Sequence, residues 1–181
     1  MAKTTKKAAK AAPKKNGADD KAKAAPAPGT APAAPQAADG PPSMKILGQY
    51  LKDLSFENPN APQSLGIQQG QPEINISVNV NAKNLAPTDF EVELHLDAKA
   101  MHEGKAVVAA ELLYAGIFRL ENITEEQMHP VILIECPRMI FPFARAILAD
   151  ATRNGGFPPL MLDPIDFAAM YQKRIEDAQS T

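Results

Sequence analysis

The chain has one cysteine, no tryptophan and only 6% aromatic residues in 181. A single thiol excludes an intrachain disulfide framework and fits a reducing compartment. No stretch approaches the roughly 18–20 uninterrupted apolar residues that cross a bilayer as a helix. The first residues carry lysine but no apolar run, which excludes a secretory signal, and lysine with little serine makes a poor organellar transit peptide. Beyond Met1, residues 1–43 contain no Leu, Ile, Val, Met, Phe, Tyr or Cys. So little apolar surface cannot offset the entropy of ordering a backbone, and disorder is expected there. A phosphate-cradling glycine loop, a nucleophile elbow and a CxxC pair are all missing.

What is present falls into two unlike pieces. Residues 1–43 hold 15 Ala, 7 of the 17 Pro and 8 Lys against 3 Asp, a net of +5. The remainder holds 11 Lys and Arg against 18 Asp and Glu, a net of −7, so the overall −2 describes neither piece. The expected organisation is a disordered Lys/Ala/Pro-rich arm over 1–43, a domain over 44–175 and a short flexible tail over 176–181. Eight lysines would suit nucleic acid or anionic lipid through counterion release. No aromatic residue is interleaved to stack on bases, which favours a solubilising or self-screening arm. Neither a nucleic-acid partner nor membrane insertion is expected.

The ordered part alternates. Ile74, Ile76, Val78 and Val80 share one face of a strand, with Asn75, Ser77, Asn79 and Asn81 on the other. Phe90, Val92, Leu94, Leu96 and Ala98 repeat the pattern over 89–100, against Glu91, Glu93, His95 and Asp97. A hairpin turn at 102–105, with Gly104 at positive φ, leads to a strand over 106–115. An earlier strand over 50–57 sets Tyr50, Lys52, Leu54 and Phe56 opposite Leu51, Asp53, Ser55 and Glu57. Period two in four segments predicts an antiparallel sheet with one wet face. The period then changes. Thr124 and Gln127 form a capping box, and 128–151 reads as a helix apolar almost all round, kinked or broken near Pro137 and Pro142. Gly155 and Gly156 end it, and a second helix is expected to start at Asp163-Pro164 and run to about Gln179. The fold class is α+β, a four-stranded antiparallel sheet with two C-terminal helices. A helix apolar on every side must be buried on every side. Burial by a second copy of the chain is favoured over burial within one chain by the second helix and the loops 58–71 and 154–162, so an oligomer is expected.

Chemistry is sparse. His129 and Cys136 stand seven apart on one helix face, but two ligands without neighbouring carboxylates do not make a zinc site. As a nucleophile–base pair they lack a group to orient the imidazole. No catalytic residue, metal or cofactor is expected, and the chain is read as a non-enzyme. What remains is surface. Asp53, Ser55, Glu57, Glu91, Glu93, Asp97 and Glu111 make an acidic sheet face suited to a basic partner. The run FPPLML (157–162), beside Phe167, Met170 and Tyr171, reads either as core or as an adaptable groove for extended peptide.

At these residues the sequence resembles the SecB family of cytoplasmic export chaperones. The matching runs are KDLSFENPNAP (52–62), QPEINISVNV (71–80), AGIFRL (115–120), CPRMIFPFAR (136–145) and GFPPLMLDPIDF (156–167). They span most of 44–171, in order; Gly70 stands where the family often has a tryptophan. The resemblance implies a dimer of dimers with helices between the pairs. It implies an ATP-independent holdase that keeps presecretory proteins unfolded and hands them to the SecA motor. By matching position, Asp53, Glu57, Ala109 and Glu111 correspond to the SecA-docking residues, and Ile74, Ile76, Val78 and Tyr171 to the client groove. Spacing adds Phe167 and Met170 to that groove. Two alternatives stay open: a nucleic-acid or ribosome-binding adaptor acting through the arm, and a SecB-like chaperone for one dedicated client.

Overall fold

Four long strands are the frame. The computed structural model describes residues 40–66 and 72–180. Residues 1–39 of the expected arm, Gly70 and Thr181 therefore lie outside the described residues. Strands β1 (Ser43–Glu57), β2 (Glu73–Ala86), β3 (Asp89–His102) and β4 (Lys105–Glu121) form one antiparallel sheet in the order β1-β4-β3-β2. The β3–β4 turn uses two positive φ values, 49° at Glu103 and 76° at Gly104. That turn matches the right-handed twist of the strands on either side. β1 and β2 are the two edges, joined by a connection that contains a 3-10 turn at Gln63–Leu65.

Among the described residues, helices cover one face of the sheet only. Helix α1 (Glu125–Pro130) runs through a π turn at Val131–Glu135 into α2 (Cys136–Asn154), and α3 (Phe167–Gln179) follows an extended segment. Leu94, Leu96, Leu112 and Phe118 of the sheet are fully buried with Ile140, Ala144 and Leu148 of α2 and Phe167 of α3. Gly116 permits the close approach, since a Cβ there would meet the Phe118 ring at 2.8 Å and Ile140 at 3.0 Å. The outer face of α2 stays open: Met139, Pro142, Phe143 and Ala146 are exposed at helical spacing, Met139 by 41% and Phe143 by 48%. α3 packs on the π turn and leaves that face bare.

The structure corrects several local expectations. Strict alternation in β1 fails. The register has Ile46 opposite Phe118 and Gly48 opposite Ile117, then Leu51 opposite Tyr114 and Asp53 opposite Leu113. Leu47 and Lys52 are thus extra residues, and each bulge shifts the parity of the residues after it. Tyr50 and Asp53, expected on opposite faces, share the face away from the helices. The disturbed helix ladder lies at the π turn just ahead of Pro137, whose ring supplies no N–H. Thr124 caps α1 through its backbone carbonyl, which accepts from Gln127 N at 3.0 Å and Met128 N at 2.9 Å, and makes no side-chain cap bond.

α3 starts at Phe167, not at Asp163-Pro164. Leu160 packs on the core and Leu162 lies in it, two residues apart, an extended period that carries the chain past Pro164. Asp166 is then the N-cap, its Oδ1 accepting from Ala169 N at 3.0 Å. The helix continues to Gln179, into the stretch expected to be a flexible tail. Asp166→Ala is therefore expected to lower stability by about 1 kcal/mol, while Asp163→Ala stays within about 0.5 kcal/mol of wild type. Chemical denaturation at one fixed protein concentration decides it, and equal effects would contradict the assignment.

Candidate functional site

Two surfaces carry the unused side chains, one on each side of the sheet. On the bare side, β1 and β4 bring the four predicted docking residues together. Glu57 stands opposite Ala109 and Ser55 opposite Glu111, with Asp53 opposite Leu113 one pair further along. Asp53, Glu57 and Glu111 are exposed and Ala109 is half-buried. Cross-strand neighbours on one face are close enough to act as one patch. Asp97 of β3 joins it opposite Glu111. Lys99 partly neutralises this end, 3.2 Å from Asp97 Oδ2 and 3.8 Å from Glu111 Oε1.

Glu91 and Glu93 do not belong to that patch. Both are 7% exposed and already paired. Lys52 Nζ lies 2.9 Å from Glu91 Oε1 and 2.6 Å from Glu93 Oε1, Lys83 Nζ lies 2.7 Å from Glu93 Oε1, and Tyr50 Oη donates to Glu91. The hydrogen bond from Tyr50, then that from Lys52, holds the Glu91 carboxyl below the usual glutamate range. Lys52, then Lys83, does the same for Glu93. Tyr50 in turn is pushed up, first by its bond to Glu91. The acidic face that the sequence suggests is, over this half, a neutralised cluster under two lysines and a tyrosine.

On the helix side two grooves open at the ends of the β2 surface. The first, about 690 Å³, lies between β2 and α3. Val78, Val80, Leu133, Phe167, Met170 and Tyr171 supply its apolar wall, and His95, Lys173, Arg174 and Asp177 its polar rim. Arg174 Nη1 donates to Val80 O at 3.0 Å and ties α3 to the sheet edge. Tyr171 Oη lies 2.9 Å from His129 Nδ1. The second groove, about 700 Å³, lies between the 3-10 turn, β2 and the segment after α2. Its floor is small, Ala98, Ala100 and Ala110, and its walls are Ile74, Val108 and the run from Phe157 to Met161. That run is pinned by Thr152, whose Oγ1 accepts from Leu160 N at 2.9 Å while donating back to Leu148 O and Ala149 O.

The predicted groove residues thus divide. Val78, Phe167, Met170 and Tyr171 line the first groove and Ile74 the second. Ile76 stands between them, 46% exposed. The run 157–162, legible in sequence as core or as groove, does both: Leu162 is core and Met161 is 66% exposed on the groove wall. Cys136 is fully buried, and burial pushes its thiol up to about 12, with its Sγ 3.7 Å from Met44 Sδ. Among the described residues no group of three or more His, Cys, Asp or Glu could hold a metal ion, and no helix is long and apolar enough to cross a membrane.

Known proteins share this sequence and this fold. The family model described as preprotein translocase subunit SecB matches residues 37–178. The protein-export protein SecB of Azorhizobium caulinodans is 60% identical over 134 residues, 74% of this chain and 84% of that protein. Its counterpart in Afipia carboxidovorans is 59% identical over 143 residues, 79% of this chain and 89% of that protein. Among solved structures, the SecB-like chaperone of Mycobacterium tuberculosis in complex with a ChAD peptide from the HigA1 antitoxin superposes with a TM-score of 0.53. It is 20% identical, over 67% of this chain and 90% of that one, and so speaks for the fold.

The neutralised cluster has an acid limit. Carboxyls lowered in the folded state stabilise it above their unfolded pKa, and that stabilisation drains away as pH falls from about 4.3 through the folded values. The unfolding midpoint is expected to fall less steeply below about pH 4.5 in a Glu91→Gln, Glu93→Gln double variant than in wild type. Parallel acid limbs would contradict the paired, lowered carboxyls.

Proposed function

The chain belongs to the SecB family, and from that premise we propose that it is an ATP-independent cytoplasmic holdase that keeps presecretory proteins unfolded and delivers them to SecA. One observation carries the reading: the two kinds of surface lie back to back. Ile74, Ile76 and Met161, exposed by 48%, 46% and 66%, stand at and between grooves on the helix side, while Asp53, Glu57 and Glu111 stand on the bare side. An unfolded client offers apolar side chains and unpaired backbone to the first surface, and a basic partner meets the second. Both fit at once, which delivery of a bound client requires.

Weak local contact is enough. Each groove takes a short segment, and a long client crossing several identical subunits multiplies the contacts by effective concentration. The subunits are proposed to assemble as a dimer of dimers. Its support is the apolar stripe of Met139 and Phe143 on α2 and the exposed Leu47, Leu51 and Leu54 on the edge strand β1. With helices between the pairs, the stripe is covered and the acidic faces point outward. Release then needs only a competitor for client or chaperone, a role SecA fills without nucleotide binding by this chain.

The expected outcome is suppression of aggregation of a chemically denatured presecretory protein, without ATP, at near one tetramer per client. Ile76→Asp, at an exposed groove position, is expected to weaken the suppression by several-fold or more, the cost of placing a charge against an apolar client segment being on the order of 1–3 kcal/mol. Light scattering that is unaffected by a several-fold excess of the chain would contradict the function.

A further inference from the structure

The bulge in β1 is where the docking face is made. After the first bulge, at Leu47, the even residues of β1 point away from the helices, since Gly48 pairs with Ile117 and Tyr50 with Ala115. Continued alternation would send Asp53, Ser55 and Glu57 to the helix side, among apolar neighbours. Lys52, the residue left over between Leu51 and Asp53, reverses that parity. β1 is an edge strand that pairs only with β4, so its ladder alone holds the irregular register weakly.

Something else holds it. The Lys52 ammonium reaches across β4 to two carboxylates of β3, 2.9 Å from Glu91 Oε1 and 2.6 Å from Glu93 Oε1. Tyr50 crosses alongside it to Glu91. The crossing is possible because the β4 residue beneath them is Ala115, small and fully buried. Lys83 of β2 meets Glu93 from the other side, so the cluster links β1, β3 and β2 across β4. A lysine beside Asp53 is otherwise out of place, because it cancels charge on a face that a basic partner is to recognise.

We propose that Lys52 is a positioning residue for partner docking: by bridging Glu91 and Glu93 it fixes the bulge that turns Asp53 and Glu57 onto the outer face. The proposal rests on the reading that this face receives SecA. Electrostatics alone and positioning give opposite signs. Removing a positive charge from an acidic patch strengthens attraction for a basic partner. Loosening the bulge weakens binding, because Asp53 and Glu57 lose their shared face.

The test is SecA affinity of the full-length chain carrying Lys52→Met, Lys52→Arg or Glu111→Lys, with native mass and backbone amide NMR spectra recorded for each. Lys52→Met is expected to bind about tenfold more weakly, and Lys52→Arg within about twofold of wild type. The amide signals of 53–57 are expected to move in Lys52→Met, with the native mass unchanged. Should Lys52→Met fail to fold, Glu93→Gln leaves β1 intact and is expected to show the same weakening and the same amide shifts. Lys52→Met binding as tightly as wild type or tighter, or weakened with the 53–57 amides unmoved, would overturn the proposal while an effective Glu111→Lys left the docking reading standing. An ineffective Glu111→Lys would remove the docking reading and this proposal together.

Discussion

A sheet has two faces, and the described residues of this chain bring helices to only one of them. Everything else depends on how incompletely that one face is covered. The centre of the sheet, Leu94, Leu96, Leu112 and Phe118, is sealed by Ile140, Ala144 and Leu148. Toward the β3–β4 turn, where side chains shrink to Ala98, Ala100 and Ala110, the helix layer no longer reaches and a groove is left. The helix layer itself has an outer surface on which no other described residue packs. In water, apolar area of this kind attracts more apolar area, at roughly 25 cal/mol per Å² removed from solvent. Under the proposed function the same driving force serves self-association on α2 and client capture on β2, and geometry decides which surface does which.

The grooves suit a general client because neither is a closed pocket with a fixed complement of polar groups. Methionine lines both and proline the second, the one soft and the other unable to collapse into a helix that would fill the space. Yet the walls are anchored. Thr152 pins the run after α2 through Leu160, and Arg174 and the His129–Tyr171 contact fasten α3. Adaptable side chains on fixed backbone are what the proposed holdase needs to take different sequences one after another without the site losing its shape.

Much of this was legible in the sequence. Period two marks β2, β3 and the first half of β4, and the long apolar helix announces that one copy of the chain leaves surface uncovered. The four residues expected to meet a partner stand together on the outer face, and five of the six expected groove residues line one or other of two grooves. The illegible part depends on partners far along the chain. Glu91 and Glu93 read as solvated carboxylates because Lys52, 39 and 41 residues away, gives no local sign of reaching them. The bulges at Leu47 and Lys52 change which residues share a face without changing composition, so the alternation in β1 misleads. Sequence alone misplaces the start of α3 because Asp163-Pro164 is as good a local cap as Asp166, and only the inward packing of Leu162 chooses between them.

The central claim is that one copy of this chain holds more apolar surface than it hides, so it closes on its own copies and keeps the rest for unfolded chains. Native mass spectrometry of the purified protein, with and without a denatured presecretory polypeptide, tests that directly. The account predicts a particle of four 19.4 kDa protomers that gains the mass of one client and keeps its subunit number. A lone 19.4 kDa species that takes up no denatured chain would contradict it.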